Sequence, residues 1–529
     1  MDDIDLHFPF AGVDVSQAFG RQPNRPAVNG KYARTAPIGL NVRTFDSLDR
    51  ARGGIRPGIE KFIATRPGGI TFITQSLSVI VSTGGSPVQS SQSGRQVELL
   101  AVAFGEVYWV AAGGTAWTQA INSTGQTPPL NATGLMQSTA NNQLLFFVDG
   151  TNAIYYSPVD HTLRLWVATS GTFPVDSDGN TPRLCCTWRG RCVLAGWLED
   201  PSLIAMSKIS DPFNFDNAPA LPVPPDAAWA GNVGPQGYTG DVITALIPYS
   251  DDTLIIGMDS SIAIFAGDPN YGGSIDLVTT TIGIAWGRAW CMDPSGVVYF
   301  FSNRTGVFAF VPGNQPQRIS QAIDNLLKSI DTGENNILLQ WNDRYQQLHV
   351  WVTRLSYESA TTHYVWESRA NAWWTDEFTD TAHNPLCCVT FDGNEQDDRV
   401  ALIGSWDGYV RSISSDATDD DGVAIQSEVW IGPALTKYSD SVMLKEVQGV
   451  LGDASGDVTY AVYTAETAEE ALASDPVATG TWSGGRNFTD MVMRAGYAAY
   501  VQINASTAWA MESIRCIIGT QGKIRQRGK

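Results

Sequence analysis

The chain has 529 residues, 54 of them acidic against 34 basic, for a net charge of −20. A surface this acidic repels nucleic acid unless a local basic patch overrides it, so general DNA or RNA affinity is excluded. With 43% hydrophobic residues and 17 Trp the chain can bury a large core. No apolar run approaches the ~20 residues that span a bilayer, so no membrane anchor is expected. The opening MDDIDLHFPF lacks the basic n-region and apolar stretch of a secretory signal, which predicts a soluble protein made in a cytosol.

Residues 1–66 alternate little and carry Arg21, Arg25, Lys31, Arg34, Arg43, Arg50, Arg52, Arg56, Lys61 and Arg66. From residue 21 only Asp46, Asp49 and Glu60 oppose them. An irregular arm pairing with its own acidic body explains this local excess. So does an arm that docks on an acidic neighbour or on phosphates. The expectation is an extended basic arm over residues 1–70 that supplies little of the core. Arg21, Arg25, Arg43, Arg50, Arg52 and Arg56 are its candidate assembly contacts.

From residue 71 a repeat begins. Turn signals flanked by short apolar runs recur at Phe104-Gly105, Asp149-Gly150, Arg189-Gly190, Ser250–Asp252, Asp293–Gly296, Asn342–Arg344 and Asp392–Asn394. The clearest unit is Arg288–Val311. There Ala289–Met292, Val297–Ser302 and Val307–Val311 are separated by Asp-Pro-Ser-Gly and Asn-Arg-Thr-Gly turns, which predicts an antiparallel meander. Units of about 40–50 residues built from several short strands are the signature of propeller blades. The fold expected over residues 71–424 is therefore an all-β propeller of six to eight blades. Its ends should be stitched together by strand material from the N-terminal region, since open sheet edges are a liability. The Pro- and Gly-rich stretch Ala218–Gly240 reads as a surface insertion.

Helical signal is confined to Ser320–Ile330, with Ser320 as a capping candidate, and to Ala465–Ala473. The polar run Ser414–Gly422 closes the repeat. Residues 425–529 then read as a strand-rich β-sandwich ending in a basic tail, Lys523–Lys529.

Catalytic and metal-binding patterns are missing from the sequence, so no catalytic residue, no metal ligand and no cofactor is assigned. The five histidines form no H-E-x-x-H spacing, and no G-x-S-x-G, Walker A or dinucleotide fingerprint is present. His349 reads as a hydrogen-bonded histidine within a sheet. Asp251-Asp252, Asp397-Asp398 and Asp419–Asp421 read as turn carboxylates rather than as glycosidase pairs. The Asp419–Asp421 run lacks the full ligand spacing of an EF-hand loop, which leaves open whether it holds a cation. Seven cysteines without C-x-x-C read as reduced core residues.

Three segments together carry a family likeness: Asn41–Phe62 (NVRTFDSLDRARGGIRPGIEKF), Arg189–Asp216 (RGRCVLAGWLEDPSLIAMSKISDPFNFD) and Tyr249–Ile330. Their order resembles the tail nozzle, or tail hub, proteins of short-tailed bacteriophages, also described as packaged-DNA stabilisation proteins. The closing run Trp509–Lys523 is similar to the last strand of some relatives. The resemblance covers most of residues 41–330. It implies a virion structural protein of the phage tail, synthesised in the host cytoplasm and assembling as a ring, usually a hexamer. Such a ring sits below the portal and adaptor proteins, surrounds the DNA exit channel, retains packaged DNA and carries a tailspike or tail fibre. Genomic DNA would pass without sequence-specific binding. The residues lining that channel are not specified by the likeness. Two other classes remain open from the residues alone: a monomeric propeller scaffold and a propeller polysaccharide hydrolase.

Overall fold

The computed structural model describes residues 2–16, 18–19, 25–26, 32–46, 49–67, 70–79, 95–123, 130, 136–233, 241–304, 306–354, 358–393, 399–435 and 440–523. Among the described residues seven blades of four antiparallel strands follow one another and close into a ring, so the protein is an all-β propeller. Blade 1 comprises Ile70–Val79, Arg95–Ala103, Glu106–Ala111 and Thr118–Gln119. Blade 2 runs through Gln137–Asn141, Leu144–Val148, Ala153–Ser157 and Thr162–Leu165, with Ile121–Asn122 added in parallel at its edge. Blade 3 is Leu184–Trp188, Arg191–Ala195, Leu203–Met206 and Trp229–Asn232; blade 4 is Ile243–Ser250, Thr253–Met258, Ile262–Ala266 and Ser274–Thr279. In blade 5 the meander read from the sequence appears as Trp290–Met292, Val298–Ser302 and Gly306–Phe310, with Gln317–Arg318 as its fourth strand. Blade 6 is Asn335–Asn342, Gln347–Arg354, His363–Glu367 and Ala372–Asp376.

Blade 7 takes Pro385–Asp392, Arg399–Ser405 and Val410–Ser414 from the end of the repeat and its fourth strand, Gly58–Lys61, from the N-terminal region. The register runs from Ser414 opposite Gly58 to Arg411 opposite Lys61. The inner strand of blade 7 packs on the inner strand of blade 1, which closes the ring.

Alternation along each strand builds the cores. Successive side chains point to opposite faces of a sheet, so one strand feeds two inter-blade clusters. Leu100 and Phe147 meet between blades 1 and 2, whereas Phe146, the neighbour of Phe147, packs with Trp166 and Leu194 between blades 2 and 3. Val193 and Phe265 join blades 3 and 4, while Ile255, Phe300 and Phe308 join blades 4 and 5. Tyr299, Phe301, Leu339 and Trp341 fill the space between blades 5 and 6. Leu338, Trp351, Cys388 and Ile403 fill that between 6 and 7, and Leu99, Ala101 and Leu402 that between 7 and 1. All seven cysteines are unbonded; six are buried and Cys291 is half-buried.

The C-terminal region packs two sheets face to face. One orders Asp2–Leu6, Met511–Lys523, Asp440–Leu451 and Asp490–Gly496; the other contains Ser427–Leu435, Ala498–Ala505, Val458–Ala465 and Ala478–Trp482. Leu444, Val447 and Ile514 from the first meet Val429, Val462 and Val501 from the second. The two-residue strand Gly39–Leu40 lies between the outer strand of blade 6, parallel at Thr375, and Ser427–Leu435, antiparallel at Glu428. Blade 6 and the sandwich are thereby one continuous nine-stranded sheet.

The reading of residues 1–70 as an arm outside the core is corrected by these pairings. Leu6, Val42 and Ile59 are buried, and the segment contributes a strand to the sandwich, a bridge strand and the closing strand of blade 7. The Ala218–Gly240 insertion is also corrected in part, since Trp229–Asn232 is the outer strand of blade 3 and the Trp229 ring packs against Phe265. Pro-rich residues 218–225 only deliver it; residues 234–240 lie outside the described residues. The helix of Ser320–Ile330 shrinks to Asp324–Leu327, because the Ser320 hydroxyl bonds Asp324 and accepts from Val307 N instead of capping. The second helix, Ala468–Ala473, is capped by Thr467, which accepts from Glu470 N at 3.1 Å.

Candidate functional site

The arginines proposed as assembly contacts divide sharply. Arg43 is buried and holds Asp376 with two hydrogen bonds of 2.8 and 2.5 Å. Arg56 is buried and holds Asp420 through bonds of 2.8 and 2.6 Å, with its Nε donating to Asn41 at 2.9 Å and its guanidinium over the Phe378 ring. Burial works against the charge of Arg56, yet the carboxylate of Asp420 outweighs it and the pKa is raised. Burial likewise pushes Asp376 up, but the fields of Arg43 and Arg56 hold its carboxyl below the usual range. Asn41 completes the node. Its amide donates to the carbonyls of Glu377 and Gln426 and its oxygen accepts from Glu377 N.

Arg43 and Arg56 therefore spend their charge inside their own chain, where a bidentate guanidinium–carboxylate pair is the arrangement that tolerates burial. Their assignment as contacts to a neighbour is corrected. Arg52 is partly buried and pairs with Asp46 and with Glu512 of the sandwich. Arg50 is exposed. Arg25 belongs to a two-residue strand, and Arg21 lies outside the described residues. Reversing Arg56 to Glu would place an acid beside buried Asp420, so such a change acts on the fold and not on an assembly contact.

The acidic runs have protein cations as counter-ions. In Asp419–Asp421, Asp420 meets Arg56, Asp421 meets Arg411 at 2.8 Å and Lys61 at 3.3 Å, and Asp419 accepts from Gly422 N. Arg411, itself buried, also grips Asp407, which follows Trp406, in a bidentate contact. Asp252 pairs with Arg189 at 2.6 Å, and Asp397-Asp398 lie outside the described residues. His349 is 1% exposed and stacks on Trp351, but neither ring nitrogen has a hydrogen-bond partner, contrary to the sequence reading. Burial first, then the charge of Arg43, lowers its pKa to about 3 and keeps it neutral.

Two further features had no signal in the sequence. Between blades 1 and 2, buried Tyr156 donates to Oε2 of fully buried Glu98 at 2.7 Å and stands 2.8 Å from Nδ1 of His161. The His161 ring lies flat on Trp109 at 3.7 Å. On the propeller axis, the inner strands of blades 2 to 7 enclose a cavity of about 470 Å³. Cys185, Cys186, Cys291 and Cys388 line it with Arg288, Trp290 and Trp341. The Arg288 guanidinium donates to the Cys388 carbonyl at 3.0 Å. Among the described residues no group of three or more His, Cys, Asp or Glu is placed to hold a metal ion, and no helix is long and apolar enough to cross a membrane.

No family model and no curated protein matches the chain. Solved structures similar to it include U3-55K, with 9% identity, a TM-score of 0.39, and coverage of 68% of this chain and 99% of that one. YCF48 from Cyanidioschyzon merolae gives 10% identity and a TM-score of 0.37 over 68% and 99% of the two chains. The extracellular domain of the hybrid two-component system BT3049 from B. thetaiotaomicron gives 9% identity and a TM-score of 0.39, over 82% of this chain. The chain spans 40% to 49% of the length of the three B. thetaiotaomicron extracellular domains it matches. Likeness at this level identifies no partner or activity, and the propeller rests on the strand order described above.

Proposed function

We propose that this protein is a structural subunit of a short-tailed phage tail, a nozzle or hub that assembles with further copies into a ring around the DNA exit channel. The ring, a hexamer in this reading, joins the portal and adaptor proteins on one side, carries tailspikes or fibres, and retains the packaged genome. The resemblance of residues 41–330 to that family is the starting point. The observation that carries the reading furthest is mechanical. Propeller and sandwich share a nine-stranded sheet through Gly39–Leu40, and the segment that bridges them is tied to blade 6 by Arg43–Asp376, to the run after blade 7 by Arg56–Asp420 and to the sandwich by Arg52–Glu512. A wall that holds back compressed DNA benefits from domains that cannot hinge freely against each other.

Charge supports the same role. A net charge of −20 gives passing DNA few places to adhere. The role needs no catalysis, and Asp420 and Asp421, carboxylates of the kind a hydrolase uses, are paired with arginines and a lysine. The test is direct. Mass spectrometry of purified virions should find the protein, and electron microscopy should place a ring of it at the tail. Its absence from virions, or a monomer that releases sugars from envelope polysaccharide, refutes the reading.

A further inference from the structure

One edge of the sandwich is unlike the surface around it. From Arg486, opposite Val450, to Gly496, opposite Val442, the chain runs along Asp440–Leu451 as the last strand of its sheet. Phe488 is 94% exposed there, Met491 74% and Met493 47%. Leu444 pairs with Arg494 and Glu446 with Met491, so Val492 and Met493 together oppose Lys445 in a bulge. Met493 holds φ at +47°, a left-handed conformation uncommon for a residue with a side chain. The bulge buries Val492 and leaves Met493 outside. A bulged edge pairs poorly with another strand, so this edge offers side chains to a partner. Its cations are also uncommitted. Exposed Arg486 and Arg494 and half-buried Lys445 have no ion pair among the described residues, whereas Arg43, Arg52 and Arg56 are all paired. Of the carboxylates at this edge, Asp490 accepts from Trp482 Nε1 at 3.3 Å and Glu446 lies opposite Met491.

Phe, Met and Arg are the residues enriched where proteins meet, and spare cations around apolar side chains call for an acidic partner. The chain carries such a surface itself. Between Lys445 and Arg486 it has no Lys or Arg, and within that stretch lies the helix Ala468–Ala473. Glu466, Glu469, Glu470 and Asp475 are exposed around half-buried Leu472, and none of the four has an ion pair among the described residues. Ala468 and Ala471 seat this helix on Trp430, Ala461 and Tyr500. Those residues point away from the side of their sheet on which Val429, Val462 and Val501 meet the first sheet. Helix and bulged edge are therefore separate surfaces, and one copy can use both at once. From these observations we infer that copies of this chain join head to tail through the sandwich, the Phe488–Met493 edge of one against the acidic helix Ala468–Ala473 of the next. Contacts between two different surfaces close into rings or run on as filaments. The inference rests on the ring reading for its choice of a second copy as partner, and goes beyond it in naming the contact.

Sedimentation velocity of the full chain tests it. The parent should associate at about 100 μM in low salt, and less so as chloride rises. Phe488→Ser combined with Met491→Ser should weaken association about tenfold. Arg486→Glu with Arg494→Glu should leave monomers, and so should Glu469→Lys with Glu470→Lys. All six changes fall on exposed side chains, so melting temperatures should stay close to the parent's. Mixing the two charge-reversed proteins should restore association, because each altered surface then meets its complement. A parent that is monomeric at this concentration, association indifferent to both reversals, or a mixture that stays monomeric overturns the inference. Binding of the parent to anionic vesicles or duplex DNA in place of itself would assign the patch to phosphates and overturn it too. The tail reading is judged separately, in virions. A tail ring built from a chain that fails these tests keeps that reading and discards this contact. Charge-dependent association of a protein absent from virions keeps the contact and discards the tail.

Discussion

Arg56 and Asp420 lie 364 positions apart and meet through two parallel hydrogen bonds of 2.8 and 2.6 Å, both side chains almost wholly shielded from water. One belongs to the N-terminal strap and the other to the run that leaves blade 7. The pair therefore locks the closing strand Gly58–Lys61 to the chain it closes.

Removing one partner of such a pair leaves an uncompensated buried charge. Arg56→Ala is expected to destabilise the protein by about 3–5 kcal/mol. Exposed Arg50→Ala should stay within about 0.5 kcal/mol of the parent. Urea unfolding followed by tryptophan fluorescence separates the two. Equal midpoints for both variants would contradict the buried-pair argument.

Deleting residues 2–61 should do more than shorten the chain. It uncovers the Val410–Ser414 edge of blade 7, takes Asp2–Leu6 from the sandwich and removes the bridge at Gly39–Leu40. Exposed edges template aggregation. The truncated protein is expected in the insoluble fraction, and a peptide spanning the deleted residues, added during refolding, should recover soluble material. A soluble, monomeric truncation with an unchanged melting temperature would count against the strap.

Stability should fall with acid well before carboxylates titrate. Burial, and for His349 also the charge of Arg43, lowers the pKa of His349 to about 3 and of His363 to about 4, against 6.5 for the unperturbed side chain. Below pH 6.5 the unfolded chain takes up protons that the native protein does not. Their contribution is thus complete above pH 6.5 and is lost as pH drops toward 4. Each histidine costs about 1.4 kcal/mol per pH unit in that window. Burial lowers the pKa of His383 as well, so His349→Leu should remove about a third to a half of the loss between pH 6.5 and 5 in denaturant titrations; an unchanged slope would refute the assignment.

Tyr156→Phe withdraws a hydroxyl from fully buried Glu98. A loss of about 1–3 kcal/mol is expected, with a shift in the histidine ring resonances of His161, which stands 2.8 Å from that hydroxyl. A variant as stable as the parent would show that the Glu98–Tyr156 bond contributes little.

Local pattern made much of the fold readable. The meander of blade 5 is spelled out by its Asp-Pro-Ser-Gly turn and alternating Val, Tyr and Phe, and the repeated turns placed the remaining blades. What escaped were elements whose partners are distant. Gly58–Lys61 (GIEK) has no strand signature of its own, and Ser412–Ser414 supplies the edge that makes it one. Trp229–Asn232 follows a proline-rich lead that reads as loop. Charge misled most: Arg43 and Arg56 look solvent-facing in sequence, and only Asp376 and Asp420 permit their burial. The axial cavity was illegible for a related reason, since its lining is drawn two to four residues at a time from six blades.

The strap also sets a timetable. Asp2 lies opposite Ile518 and Gly58 opposite Ser414, so these segments find their partners only after several hundred further residues have been translated. Blades 1 to 6 can form as they emerge, but the ring cannot shut until Val410–Ser414 is made, and the sandwich not until Met511–Lys523 is. Until then Gly58–Lys61 and Asp2–Leu6 have no partner strand. A product truncated before Val410 would leave Gly58–Lys61 without its partner strand and the ring of blades open.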